Sequence, residues 1–284
     1  MRRVGLKVFC ILALVAALGL LLMTHGALQD SPGTRTTLRD TPAPLENLSG
    51  LGWDGEALWM TVDGGGGIHR VDPHSWEVLH RFDFAIEKTG GITWDGTHLW
   101  QLAYEVQKIF RLDPESGEIL EEFPTPGEGM CAGLTYDGES LWASNFSDKK
   151  FYRLDPDDGG RVIESIGGYF EATGLAWDGE YLWNGLLVGT ESFGQDPPYT
   201  GFVQQRDTET GETLSVYHVP GVGAGAAAWV PGQAEAASRY WWYDYFHNRI
   251  VEVRRERDPL LGLRTWAALA FLLAAVAAVA ALRV

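Results

Sequence analysis

The chain has 284 residues, 45% of them hydrophobic, enough for one or two domains with a sizeable core. Its 38 acidic and 22 basic residues leave a formal charge of −16, which argues against a nucleic-acid partner gripped through its phosphates. Two cysteines, Cys10 and Cys131, exclude a disulfide framework, and 35 glycines with 12 Trp, 12 Phe and 10 Tyr favour a turn-rich β protein over a helical bundle.

Residues 1–29 read as an export signal or signal anchor. Arg2, Arg3 and Lys7 precede an uninterrupted apolar stretch from Val8 to Met23. Thr24-His25-Gly26 offers a small residue at only one favourable cleavage position, so a cleaved signal and a retained anchor both stay open. Phe9 directly before Cys10 speaks against a lipoprotein box, and Cys10 reads as apolar filler. Every Asp and Glu lies between Asp30 and Asp258, where 17 basic residues face 38 acidic ones, a balance of −21.

The middle of the chain, 34–258, is a repeat. Four strings align: Gly50-Leu-Gly-Trp-Asp-Gly-Glu-Ala-Leu-Trp59, Gly91-Ile-Thr-Trp-Asp-Gly-Thr-His-Leu-Trp100, Gly133-Leu-Thr-Tyr-Asp-Gly-Glu-Ser-Leu-Trp142 and Gly174-Leu-Ala-Trp-Asp-Gly-Glu-Tyr-Leu-Trp183. Their starts are 41, 42 and 41 residues apart. The first three are followed by Ile68-His-Arg-Val-Asp-Pro73, Ile109-Phe-Arg-Leu-Asp-Pro114 and Phe151-Tyr-Arg-Leu-Asp-Pro156, with a looser copy at 202–213. A period near 40 with several short strands per unit signifies a propeller.

Within the first unit, Leu51 and Trp53 alternate with Gly50 and Gly52. Asp54-Gly55 supplies the positive-φ pair of a tight hairpin, and Leu58-Trp59 begins the return strand. Gly64–Gly67 form a loop, Ile68–Val71 a third strand, Asp72-Pro73-His74-Ser75 a turn and Val78–Phe82 a fourth strand. The expected blades are about 46–86, 87–128, 129–169, 170–218 and 219–253. The fifth is worn: Ala226-Ala-Ala-Trp229 replaces the first strand, Pro231-Gly232 stands where Asp-Gly was, and no fourth strand follows Val253. Residues 36–39 therefore complete it, which hides sheet edges. Five blades is the count, with six as the other option.

Beyond the repeat, Trp266–Leu282 carries no charge, and at about 1.5 Å per residue it falls slightly short of a bilayer core of about 30 Å. Leu260–Leu263, with Arg264 snorkelling, extends it to a transmembrane helix over 260–284. Topology follows from the amino-terminal positive charges staying inside. This places the propeller on the extracytoplasmic side of the cell membrane, although Arg254, Arg255, Arg257 and Arg264 pull the other way.

The string Gly-Leu-x-Trp-Asp-Gly-x-x-Leu-Trp, followed by Arg-Leu-Asp-Pro, resembles the repeat of bacterial propellers related to plant-type glutaminyl-peptide cyclotransferases, over roughly residues 36–253. The resemblance implies cyclisation of an amino-terminal glutamine to pyroglutamate with release of ammonia. That family carries an Asn-Glu-Leu-Glu-Trp stretch at the start of a late blade. The comparable positions here read Ala226-Ala227-Ala228-Trp229, so no catalytic residue is carried over.

Asp54, Asp95, Asp137 and Asp178 each precede Gly in a hairpin and read as turn residues, as do Asp72, Asp113 and Asp155 before Pro. Asp155-Pro-Asp-Asp-Gly159 only mimics a calcium loop, since its twelfth position is Ile166. The repeated tryptophans read as packing between blades, and Cys131 as a small core residue. Histidines lack metal spacing, so no metal and no cofactor is expected. Asn47-Leu-Ser49 and Asn145-Phe-Ser147 match glycosylation acceptors.

Irregular loops joining second to third strands, and loops between blades, converge on one face. They nominate Asp63, Glu105, Asn145, Glu171, Glu191, Asp196, Tyr199, Asp244 and His247 as ligand-binding residues. Carboxylates with aromatics suit a cationic ligand, a peptide or a basic segment of a protein partner. The first functional expectation is a membrane-anchored, extracytoplasmic propeller that binds through this face. The alternative is a glutaminyl-peptide cyclotransferase-like enzyme, and a third is a metal-dependent lactonase-type hydrolase.

Overall fold

The computed structural model describes residues 35–168, 172–188, 200–220, 224–231, 239–245 and 247–255. The segments read as a signal or anchor and as a transmembrane helix lie outside these. Among the described residues no helix is long and apolar enough to cross a membrane.

The described chain is all-β. A leading strand β1 (Arg35–Pro42) precedes the first blade, β2 (Leu48–Trp53), β3 (Leu58–Val62), β4 (Gly67–Val71) and β5 (Val78–Phe82). The second blade is β6 (Ile92–Trp94), β7 (Leu99–Ala103), β8 (Lys108–Leu112) and β9 (Ile119–Pro124). The third is β10 (Cys131–Tyr136), β11 (Leu141–Asn145), β12 (Lys150–Asp155) and β13 (Arg161–Gly167). The fourth is β14 (Ala172–Trp177), β15 (Leu182–Val188), β16 (Thr200–Arg206) and β17 (Thr213–Pro220). The fifth begins with β18 (Ala224–Val230), β19 (Arg239–Asp244) and β20 (Arg249–Arg255), and β1 pairs antiparallel with β20 as its outer strand.

Five four-stranded antiparallel sheets thus make a five-bladed propeller, as the period of the repeat implies. The apolar clusters lie between blades. One joins Leu51, Leu58 and Met60 of the first blade to Trp241, Tyr243 and Ile250 of the fifth, which closes the ring. Four more join the remaining neighbours.

The repeat motif has a direct physical account. Asp54 Oδ1 accepts the backbone N–H of Glu56 and Ala57 at 2.9 and 2.8 Å, and its Oδ2 accepts Trp59 Nε1–H at 2.8 Å and Arg70 Nε–H at 2.7 Å. Burial alone would raise this carboxyl, but Arg70 and the two turn amides outweigh it and hold it below the ordinary range. Asp95, Asp137 and Asp178 bind Trp100, Trp142 and Trp183 in the same way, at 2.8, 2.8 and 2.6 Å. One side chain therefore closes the hairpin and satisfies a buried indole. The fifth blade differs from the expected alignment: Trp229 pairs with Tyr240 as Trp53 pairs with Leu58, so Val230 rather than Pro231 takes the aspartate's place, and the Nε1 of Trp241, which is 2% exposed, has no hydrogen-bond partner among the described residues.

The return strand begins at Leu58, as expected, and Trp53 pairs with it across a four-residue loop, but of the expected positive-φ pair only Gly55 (φ 101°) takes a positive φ while Asp54 does not. The aspartate closes the loop through its side chain, so its own backbone need not become left-handed.

The first Gly of the motif is set by closure. A Cβ on Gly133 would stand 2.4 Å from the Thr173 carbonyl oxygen, and one on Gly91 would stand 2.3 Å from Leu134 N. The innermost strands of neighbouring blades meet backbone to backbone around a narrow channel.

Candidate functional site

Because strands alternate in direction, each blade has two distinct ends. Hairpins between first and second strands and between third and fourth strands emerge on one end, here the turn face. Loops between second and third strands and the entries to each blade emerge on the other, the loop face.

The loop face is stitched by backbone bonds between those two kinds of loop. Asp63 N–H donates to Asn47 O (2.8 Å), Gly64 N–H to Glu87 O (2.7 Å), Thr125 N–H to Gln107 O (2.9 Å) and Phe146 N–H to Met130 O (2.8 Å). On that frame Asp63 Oδ1 accepts Thr89 N–H at 3.0 Å, and the Thr89 hydroxyl lies 2.7 Å from that of Ser49. Burial first, and then Asp63, Tyr245 and Glu105, raise the Tyr104 phenol above the ordinary tyrosine value. Side chains from the first, second and fifth blades therefore share one electrostatic neighbourhood.

The fifth blade adds a pair suited to proton transfer. Asp244, 3% exposed, lies 2.7 Å from Nδ1 of His247, a half-exposed side chain, and also accepts the His247 backbone N–H at 3.3 Å. A buried carboxylate on Nδ1 fixes the ring and its tautomer and leaves Nε2 to exchange protons.

Of the nine residues nominated from sequence, Asp63, Glu105, Asp244 and His247 stand on this face with the partners just given. Glu105 contributes charge, and its N–H donates to Lys88 O at 3.3 Å. Asn145 is occupied: its Nδ2 donates to Pro126 O (2.9 Å) and Glu128 O (3.2 Å), and its Oδ1 accepts Asp148 N–H (2.8 Å). At 2% exposure it staples the third blade's loop, which also removes Asn145-Phe-Ser147 as a glycosylation acceptor in the folded chain. Glu171, Glu191, Asp196 and Tyr199 lie outside the described residues.

Two loop aromatics outside the nine, Tyr104 and Tyr245, join the cluster, and sequence reasoning missed the Ser49–Thr89–Asp63 chain. Their signal was weak, because each sits at a loop position that differs from blade to blade. Cys131 is 1% exposed, and burial foremost pushes its thiol up to about 12, which fits a core residue. Among the described residues no three His, Cys, Asp or Glu side chains come together as a metal-ligand set. In the loop that mimics a calcium site, Asp155 and Asp158 instead hold Arg161, at 2.8 and 2.5 Å.

The channel forms a second feature. Its cavity, about 370 Å³ counting the space open to solvent, is lined by Trp53, Trp94, Tyr136, Trp177 and Trp229, one aromatic from the first strand of each blade. Each is the last residue of its strand or next to last, at the turn-face end.

Residues 39–164 match the family model described as glutamine cyclotransferase. No curated protein sequence matches the chain. The crystal structure of Myxococcus xanthus glutaminyl cyclase superposes with a TM-score of 0.62 at 16% identity, covering 78% of this chain and 95% of that one. The Cps50 (Swd1) β-propeller domain of Myceliophteria thermophila gives 0.44 at 10% identity, covering 78% and 99%. The chain is therefore a five-bladed β-propeller that resembles the glutamine cyclotransferase family, with the matching sequence in its first three blades.

Proposed function

We propose that the loop face carries out glutaminyl cyclotransfer, closing an amino-terminal glutamine to pyroglutamate with release of ammonia. The observation that supports it is the Asp244–His247 pair beside the cluster of Asp63, Tyr104 and Tyr245. The family match over 39–164 points to the same chemistry.

In this reading Asp63, Glu105 and the tyrosine faces hold the peptide's amino end. The α-amine nitrogen attacks the γ-carboxamide carbon, and His247 Nε2 takes the proton that the nitrogen loses. As the carbon–nitrogen bond to the amide breaks, His247 returns that proton to the departing ammonia. Asp244, 2.7 Å from Nδ1, keeps the ring oriented. The propeller works on the extracytoplasmic side, held to the membrane through residues 260–284 and, where the signal is retained, 1–29.

The test is ammonia release from a glutamine-initiated peptide by the full-length chain, compared with His247→Gln. Release by the wild type and a loss of about 100-fold or more in the variant supports the reading, on the usual scale of general acid–base catalysis. No release above blank by the wild type overturns it.

A second reading keeps the same face as a binding surface for a cationic peptide or protein segment without turnover. One observation favours it. The innermost strand of the fifth blade carries Ala226, Ala227 and Ala228, with no carboxylate where the family has Asn-Glu-Leu-Glu-Trp. Saturable binding of the glutamine peptide without ammonia release would select it.

A further inference from the structure

In the second, third and fourth blades the turn that leads into the outer strand closes on glycine. Gly117, Gly160 and Gly211 sit at φ 74°, 72° and 72°, and their N–H groups donate to the carbonyls of Asp113, Asp155 and Asp207 at 2.9, 3.0 and 2.9 Å. The first blade makes the same turn, with Trp76 N–H on the Asp72 carbonyl at 2.9 Å, but it places a tryptophan there at φ 63°. A bulky residue is disfavoured in the left-handed region because its Cβ crowds the backbone, so packing must offset that strain.

The preceding blade supplies the reason. A Cβ on Gly117 would stand 2.3 Å from the Phe82 ring, one on Gly160 2.2 Å from Phe123, and one on Gly211 3.4 Å from Ile166. Each of these turns therefore lies against a large apolar residue on the outer strand of the blade before it. Phe82 and Phe123 pack in turn on Trp59 and Trp100 of their own blades, with ring centroids 6.1 and 5.6 Å apart, and Ile166 joins the cluster that holds Trp142. The blade before the first is the fifth, whose outer strand is β1. Ile68, Ile109 and Phe151 pair with Phe82, Phe123 and Ile166, but the equivalent Ile250 pairs with Thr41. The large apolar residue is missing at this seam, and the Thr41 hydroxyl is buried without a hydrogen-bond partner among the described residues. Trp76 fills the position from the other side. Its half-buried ring meets Trp241, the fifth blade's counterpart of Trp59, edge-on at 5.5 Å, within the cluster between the two blades.

We propose that Trp76 is a clasp that closes the ring: it reaches from the first blade to supply the aromatic that the outer strand of the fifth blade lacks. Closure then has two parts, the backbone pairing of β1 with β20 and an indole packed across the seam. Edge-to-face contact between two tryptophans and the burial of Trp241 offset the left-handed backbone. Asp244 and His247 stand on one side of this seam and Asp63 on the other, so the clasp also holds together the two parts of the loop-face cluster. It does not depend on turnover at that face.

The experiment compares the full-length chain with Trp76→Gly, which writes in the residue that the other three turns carry. Considered as backbone alone, glycine at a positive φ relieves strain and should raise the thermal midpoint. The clasp reverses the sign: the midpoint should fall by about 4–10 °C. Adding Thr41→Phe to Trp76→Gly rebuilds the phenylalanine–glycine arrangement of the neighbouring seams and should restore at least half of that loss. Hydrogen exchange locates the effect. Amides of β1 and β20 should exchange about tenfold faster in Trp76→Gly, and gain more than those of β12 and β13 in the third blade. If Trp76→Gly does not fold, Trp76→Phe and Trp76→Leu make the comparison, with phenylalanine expected to keep the higher midpoint. An unchanged or raised midpoint in Trp76→Gly, no recovery with Thr41→Phe, equal acceleration of exchange in all blades, or equal midpoints for the phenylalanine and leucine variants would each overturn the proposal.

Discussion

Asp54 offers the sharpest test of how the repeat holds itself together. Replacing it with alanine removes two side-chain bonds that close the hairpin, to Glu56 N–H and Ala57 N–H, comparable to losing a helix cap at about 1 kcal/mol. It also strands the indole N–H of Trp59, which is 3% exposed, and leaving a buried donor unpaired costs about 1–3 kcal/mol. Arg70 is 25% exposed and keeps Glu56, so that pair adds at most about 1 kcal/mol. Asp54→Ala should therefore destabilise by about 2–5 kcal/mol.

A double-mutant cycle with Trp59→Phe separates these parts, because phenylalanine has no N–H left to satisfy. The expected coupling is about 1–3 kcal/mol, read from urea or thermal unfolding of the two single variants and the double. A loss below about 0.5 kcal/mol in Asp54→Ala would refute the reasoning, as would strictly additive single variants, since that is the scatter of unrelated surface changes.

Three further outcomes are expected. Gly133→Ala, whose new Cβ would meet the Thr173 carbonyl at 2.4 Å, should cost about 3 kcal/mol or more in thermal unfolding. Gly138→Ala (φ 102°, open space around it) should lose only about 1–2 kcal/mol. In a Cys10→Ser background the folded chain should not react with a thiol reagent at pH 8, because burial pushes Cys131 up to about 12; one equivalent should react after denaturation. Backbone N–H bonds from Ser75, Ser116 and Thr210 are the chief cause holding Asp72, Asp113 and Asp207 below the ordinary carboxylate value. Their stabilisation is complete above that value and is lost as pH falls through the depressed folded values. The thermal midpoint should thus hold from neutral pH to about 5 and drop below about 4, less steeply in Asp113→Asn.

The legible parts of this protein were those the chain repeats. Gly-Leu-x-Trp-Asp-Gly-x-x-Leu-Trp returns four times at nearly equal spacing, so an error at one copy is corrected by the others, and the blade count and strand order follow from it. The hydrogen bond between the motif's aspartate and its second tryptophan was hidden. A string shows that both recur but not that a five-residue separation across a hairpin brings carboxylate to indole. Asn145 was misleading for a related reason. Its place in a variable loop suggested a free polar group, while the fold spends its amide on Pro126, Glu128 and Asp148.

Sequence alone determined the local units, because hairpin closure, strand alternation and Asp-Pro turns are set by near neighbours in the chain. Only tertiary structure decided what stands together at each end of the ring. Asp63, Tyr104 and Tyr245 come from three different blades, and the channel aromatics come from all five. Such meetings depend on how twisted sheets close around an axis. Closure is a property of the whole ring, and no single stretch of chain encodes it.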